Sequence, residues 1–161
     1  MLSFLKKKQS KNEIIAAPIS GKTIASSEIP DDTFAEEMLG KGIAIVPTDG
    51  RVYSPVDGSL TFVPKSKHAV SITSSEGTEI LIHFGIDTVS LDGVPFDIKV
   101  EQGSDIKKGD LLMEVNIQAI LDAGLSTITP VIICNSDDFK DVIKKADIDV
   151  VVGDDIMEIV R

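Results

Sequence analysis

The chain contains two histidines, His68 and His83, and no other imidazole. Imidazole changes charge near neutral pH and can act as a nucleophile, a proton carrier or a metal ligand. Each histidine lies in a run of strand-forming residues. One run is His68-Ala69-Val70-Ser71-Ile72-Thr73, and the other is Thr78-Glu79-Ile80-Leu81-Ile82-His83-Phe84-Gly85. The connecting Ser74-Ser75-Glu76-Gly77 predicts a turn, so the two runs read as one β-hairpin. If all four residues form the loop, Thr73 faces Thr78 and His68 faces His83, with Cβ atoms about 5 Å apart. A two-residue loop at Glu76-Gly77 makes the pair diagonal, on one face and within about 8 Å. A three-residue loop would send the rings to opposite faces. Which loop forms decides whether the two imidazoles can cooperate.

The neighbours of His83 favour a nucleophile. Ile80, Leu81 and Ile82 flank its strand with hydrophobes on both faces. An imidazole there loses hydration, which disfavours the charged form. A neutral imidazole can attack phosphorus at neutral pH without a helper base. Gly85 then leaves nearby backbone amides open and lets a partner approach closely.

The elements that must hold this hairpin are also strands. Runs rich in Val and Ile recur at residues 42–46, 51–54, 60–63, 69–73, 78–84, 98–100, 111–115, 129–134, 150–152 and 156–160, separated by Gly, Pro and Asp. Many short strands with turns every eight to twelve residues predict an all-β antiparallel sandwich. Three short helices are expected among them, at residues 33–39, 116–123 and 136–146. The first follows Asp31-Asp32, which can cap it; the second starts at Asn116 and stops at Gly124. The third has acids in its first turn, lysines in its last, and Phe139, Val142 and Ile143 on one face. Two internal echoes point to duplication. Ala17-Pro18-Ile19-Ser20-Gly21 parallels Ser54-Pro55-Val56-Asp57-Gly58, and Gly109-Asp110-Leu111-Leu112-Met113-Glu114 parallels Gly153-Asp154-Asp155-Ile156-Met157-Glu158.

Composition bounds the partners. The 161 residues suit one domain, and 42% apolar content suits a buried core. A net charge of −10 argues against nucleic acid and favours cationic protein partners. The single Cys134 excludes an internal disulfide and fits a reducing, cytoplasmic setting; its run Val131-Ile132-Ile133-Cys134 predicts a buried thiol. No apolar stretch reaches the length of a transmembrane helix. Residues 1–12, beginning Met1-Leu2-Ser3-Phe4-Leu5-Lys6-Lys7-Lys8, predict a flexible tail with at most weak membrane contact, ahead of a domain at 13–161.

The run from Gly77 to Val89, containing Ile82-His83-Phe84-Gly85-Ile86-Asp87-Thr88-Val89, resembles the phosphohistidine signature of the glucose-type enzyme IIA family of the bacterial sugar phosphotransferase system. Pro30-Asp31, Phe34-Ala35-Glu36, Met38-Leu39-Gly40-Lys41-Gly42, Ser54-Pro55-Val56-Asp57-Gly58 and Lys67-His68-Ala69 are similar to other blocks of that family, and only residues 1–12 fall outside the likeness. The resemblance implies a duplicated antiparallel β-sandwich and a carrier function. His83 would take a phosphoryl group from the phosphocarrier HPr on Nε2, with Nδ1 held by a backbone carbonyl, and pass it to a cysteine of an enzyme IIB domain. His68 would support onward transfer. Ser66 stands where the family has a hydroxyl bonded to an active histidine, usually Thr. Asp31 and Asp87 would form a rim facing cationic groups of partners. The resemblance further implies phosphorylation-dependent binding to regulatory protein targets. It requires no cofactor, and zinc would be opportunistic, on His68 and His83 with a partner's carboxylate.

Two other classes compete. A lipoyl- or biotinyl-type carrier needs a lysine at a hairpin tip between methionines, whereas Met113 and Met157 are each followed by glutamate. A zinc hydrolase would draw on His68, His83 and Asp87 as three ligands, but the chain offers no further histidine to polarise water.

Overall fold

The computed structural model describes residues 11–161. The tail expected at residues 1–12 lies outside these up to residue 10. Asn12, by contrast, is hydrogen-bonded to Glu158 and to the Arg161 amide.

Fourteen strands dominate the described residues. They are β1 (Glu13–Ala16), β2 (Gly21–Ala25), β3 (Lys41–Pro47), β4 (Arg51–Tyr53), β5 (Gly58–Phe62), β6 (Ala69–Ser74), β7 (Glu79–His83), β8 (Phe96–Ile98), β9 (Asp105–Ile106), β10 (Leu111–Val115), β11 (Thr129–Ile133), β12 (Asp141–Lys144), β13 (Asp149–Val150) and β14 (Asp155–Val160). One sheet has eight strands in the order β13-β2-β3-β11-β7-β6-β5-β9; two three-stranded sheets, β1-β14-β12 and β4-β10-β8, pack against it. The strand pairings are antiparallel. Two short helices, α1 (Asp32–Ala35) and α2 (Ile117–Asp122), complete an all-β sandwich.

The main core lies between the sheets. Ile43, Ile45, Val70, Ile72, Ile80, Ile82, Val131 and Ile133 project into it from the large sheet, and Ile15, Val52, Leu112, Ile156 and Ile159 from the small ones. The opposite face of the large sheet carries a second, smaller cluster. Ala44, Ile132 and Leu81 there meet Phe34, Ile29 and Ile86. Alternation along each strand therefore feeds two cores, one per face.

The duplication holds bond for bond. The Ala17 amide donates to Asp154 O at 2.7 Å, and at the echo the Ser54 amide donates to Asp110 O at 2.8 Å. Gly153 N reaches Ala17 O at 3.1 Å, and Gly109 N reaches Ser54 O at 2.9 Å. Each turn is closed by its aspartate, Asp154 on the Val151 amide and Asp110 on the Lys107 amide.

Three expectations change. The helix at 136–146 is instead a 3-10 turn, Ser136–Asp138, followed by β12. Val142 is buried and Ile143 is 48% exposed, a two-residue period that satisfies β14 by pairing rather than an amphipathic helix. Cys134 is exposed, because β11 ends at Ile133 and the chain turns outward there. The first helix is only the four residues of α1, with turns following it, since Glu37 is left-handed at φ 58°. No helix among the described residues is long and apolar enough to cross a membrane.

Candidate functional site

His83 is the last residue of β7 and lies on the small-core face of the large sheet. The hairpin register pairs it with Ala69, Ile82 with Val70 and Ile80 with Ile72. Ser74 N donates to Thr78 O, so three residues, 75–77, form the loop. This is the loop length that would place the two rings on opposite faces. They nevertheless meet, with centroids 4.7 Å apart in a T-shaped arrangement. The reason is local. β6 begins only at Ala69, and His68 sits in a bend just before it, preceded by left-handed Lys67 at φ 56°. Outside the ladder, side-chain parity no longer applies, and the bend swings the His68 ring round to His83. The backbone stays joined, because the Phe84 amide donates to His68 O at 2.8 Å.

Each ring is fixed by one nitrogen. His83 Nδ1 lies 2.8 Å from Gly85 O. A carbonyl only accepts, so Nδ1 carries the proton and Nε2 keeps its lone pair. Ser66 Oγ is 2.6 Å from His68 Nδ1. If the hydroxyl donates, His68 carries its own proton on Nε2. Phe34 of α1 packs on His83 at 5.1 Å between centroids, tilted by 60°. Asp31 caps that helix by accepting from Thr33 N at 2.9 Å, which fixes where Phe34 enters. Strand patterning does not point to Phe34 as part of the site; its signal in the sequence is the cap three residues before it.

The electrostatics keep both rings neutral. Burial lowers His83 below the usual imidazole range, against the opposing pull of the Gly85 carbonyl and the carboxylates of Asp31 and Asp87. Burial, reinforced by the neighbouring His83, lowers His68 to about 4. Two protonated imidazoles at this distance would repel, so proximity and burial act in the same direction.

Gly85 plays a different part from the one expected. It is buried rather than open to a partner, and its carbonyl rather than an amide does the work. Its φ is +78°, and an added Cβ would stand 2.6 Å from Thr88 Cγ2 and 2.8 Å from Ser126 O. Asp87 is exposed at φ 60° in the turn that follows, and Asp31 is half-buried. The structure therefore brings His68, His83, Ser66 and Gly85 into direct contact, with the charges of Asp31 and Asp87 bearing on His83. Among the described residues, no three His, Cys, Asp or Glu side chains are grouped closely enough to hold a metal ion.

Residues 13–139 match the family described as phosphoenolpyruvate-dependent sugar phosphotransferase system, EIIA 1. The chain is 42% identical over 138 residues to the PTS system glucose-specific EIIA component of Oceanobacillus iheyensis, covering 86% of this chain and 84% of that one. It is 46% identical over 128 residues to the PTS system beta-glucoside-specific EIIBCA component of Bacillus subtilis, where the match spans 80% of this chain and 21% of the relative. Its structure is similar to that of glucose permease IIA from Mycoplasma capricolum, with a TM-score of 0.84, 35% identity, and coverage of 92% and 96% of the two chains. The chain belongs to the EIIA 1 family of the phosphoenolpyruvate-dependent sugar phosphotransferase system, and it is a phosphoryl carrier component of sugar transport.

Proposed function

We propose that His83 is the residue that carries the phosphoryl group. The observation that supports this is its hydrogen bond to Gly85 O, which commits Nδ1 to donation and leaves the Nε2 lone pair free. That lone pair attacks phosphorus as the bond to the donor, HPr, breaks. The Nε2–P bond that forms places positive charge on the ring, and the Gly85 carbonyl supports the Nδ1–H that shares it. In the second half, a cysteine thiolate of an enzyme IIB domain attacks phosphorus, and the electrons of the Nε2–P bond return to the imidazole. The transition state is loose, so catalysis here is mostly positioning and charge.

His68 acts beside the phosphoryl group. With Ser66 Oγ–H donating to His68 Nδ1, His68 Nε2–H donates to a phosphoryl oxygen. Asp31 and Asp87 form an acidic rim that meets cationic groups of HPr and enzyme IIB and, by repelling phosphate, favours its departure. The reaction needs no resident cofactor, and His68 and His83 would hold zinc only with a carboxylate brought by a partner. The carrier works in the cytoplasm, where HPr and enzyme IIB domains operate. Phosphorylation-dependent binding to regulatory proteins is a second role of the same face, because a phosphoryl group beside Asp31 and Asp87 turns a mildly acidic rim into a strongly anionic one.

The test is incubation with phosphorylated HPr, followed by mass spectrometry and acid treatment. The expected result is a gain of one acid-labile phosphoryl group, absent in His83→Ala with its fold unchanged by circular dichroism. Acid-labile label retained by folded His83→Ala would remove the assignment.

A further inference from the structure

We infer that Thr88 is a positioning residue for the carrier histidine: its buried hydroxyl fixes the peptide ahead of Gly85, and so aims the carbonyl that sets the His83 tautomer. This rests on the reading of His83 as the phosphoryl acceptor.

The problem Thr88 solves begins with glycine. Among the described residues, Gly85 O is the hydrogen-bond partner of His83 Nδ1, and glycine is the residue whose backbone is least restrained. A carbonyl that swung by a few tens of degrees would release the Nδ1 proton to move to Nε2, extinguishing the nucleophilic lone pair. The orientation of Gly85 O is set by the two peptides that flank its Cα. The peptide after it is held by the Ile86 amide, which donates to Ser126 O at 3.0 Å. The peptide before it is held at its carbonyl, where Phe84 O accepts from Thr88 Oγ1 at 2.6 Å; one peptide earlier, the Phe84 amide donates to His68 O.

Thr88 is suited to this in both branches of its side chain. It is fully buried, so no water competes for the Phe84 carbonyl. Its methyl, Cγ2, occupies the space a Gly85 Cβ would fill, which keeps the left-handed glycine packed on one side while Ser126 O closes the other. The Phe84 ring is itself anchored in the main core against Phe96, 6.4 Å between centroids. The Thr88 hydroxyl bonds the Phe84 carbonyl and its methyl lies against Gly85, so Thr88 acts through Phe84 and Gly85.

Thr88→Val preserves the methyl packing and deletes the hydroxyl, whereas Thr88→Ser preserves the hydroxyl. The readout is nitrogen NMR of the His83 ring, together with the rate of phosphoryl acceptance from phosphorylated HPr. The unsubstituted protein should show a pyrrole-like Nδ1 and a pyridine-like Nε2. Thr88→Val should show averaged shifts of mixed tautomers and an acceptance rate lower by on the order of 10- to 100-fold, the range that slight misplacement of a reacting group produces. Thr88→Ser should restore the pure tautomer and most of the rate. An unmixed tautomer with wild-type acceptance in folded Thr88→Val would overturn the inference. Should that variant fail to fold, the Thr88 hydroxyl proton of the unsubstituted protein decides: slow exchange with water supports the clamp, and exchange as fast as that of an exposed hydroxyl overturns it. Label retained by His83→Ala, alongside mixed tautomers in Thr88→Val, would leave Thr88 positioning the ring and remove only the acceptor role of His83.

Discussion

The rings of His68 and His83 meet edge to face, 4.7 Å between centroids, although the ladder between their strands pairs His83 with Ala69. Strand alternation alone would separate them. The contact depends on a bend outside the sheet, fixed by left-handed Lys67 and by the Ser66–His68 hydrogen bond. The two histidines are therefore positioned by different means, His83 by strand and glycine, His68 by a loop.

Unequal positioning goes with unequal jobs. His83→Gln should accept no phosphoryl group. His68→Gln should still be labelled on His83 but pass the group to enzyme IIB about 10²–10³-fold more slowly, the usual effect of losing one donor to a developing charge. Separate measurement of acceptance and onward transfer checks this; label kept by His83→Gln and lost by His68→Gln would reverse the assignment.

Acceptance should depend little on pH through the range where free imidazole titrates. Both rings have lowered values, His68 to about 4, so His83 stays neutral on acidification below 6.5. Folding stability behaves differently. The unfolded chain takes up protons on His68 from about pH 6.5 downward while the folded chain does not, so the histidine contribution falls as pH drops from 6.5 toward 4. Proton NMR titration of the two rings, with urea melts across that window, tests both statements; a ring titrating at its ordinary value would contradict them.

Asp31 both caps α1 and presents charge to His83, and two substitutions separate these tasks. Asp31→Asn keeps a good cap and loses the charge, so stability should hold while acceptance slows more at low salt than at high. Asp31→Ala should also lose about 1 kcal/mol of stability. Rates for Asp31→Asn that change equally at both ionic strengths would leave capping as its whole role.

Gly85→Ala should cost about 1–3 kcal/mol for the backbone conformation alone, with the overlap on Thr88 and Ser126 adding to it. Acceptance should fall in the molecules that remain folded, because relief of the overlap must move the carbonyl bonded to His83. Chemical denaturation read alongside labelling of the folded fraction separates the two effects; unchanged labelling there would show the carbonyl to be dispensable.

The sequence made much of this legible, for reasons that differ by residue. Alternating burial along Val70, Ile72, Ile80 and Ile82 marks the strands, and the Gly-Asp echoes mark the duplication, because each is a local pattern. The histidine pair was visible as a pair, yet the face-sharing depended on the loop, and the loop formed is the one expected to part them. A bend at His68 is set by Ser66 and Lys67, which strand periodicity does not describe. The segment around Val142 misled because acids before and lysines after an apolar pair suit a helix, whereas the free edge of β14 required a strand. Phe34 and Thr88 reach the site through a cap and a turn, contacts that only the folded chain reveals.

β1 and β14 lie side by side, and Arg161 bonds Glu13 at 2.9 Å and Thr78 at 3.0 Å, at the hairpin turn. His83 stands at the other end of that hairpin, five residues along the chain from Thr78, or about 17 Å at the usual strand rise. A partner domain tethered at either end of the fold would leave the histidine face uncovered. A flexible tether of roughly ten residues spans such a distance on average. A linker matched to the span would hold the partner at an effective concentration in the millimolar range, turning an encounter between separate proteins into a motion within one.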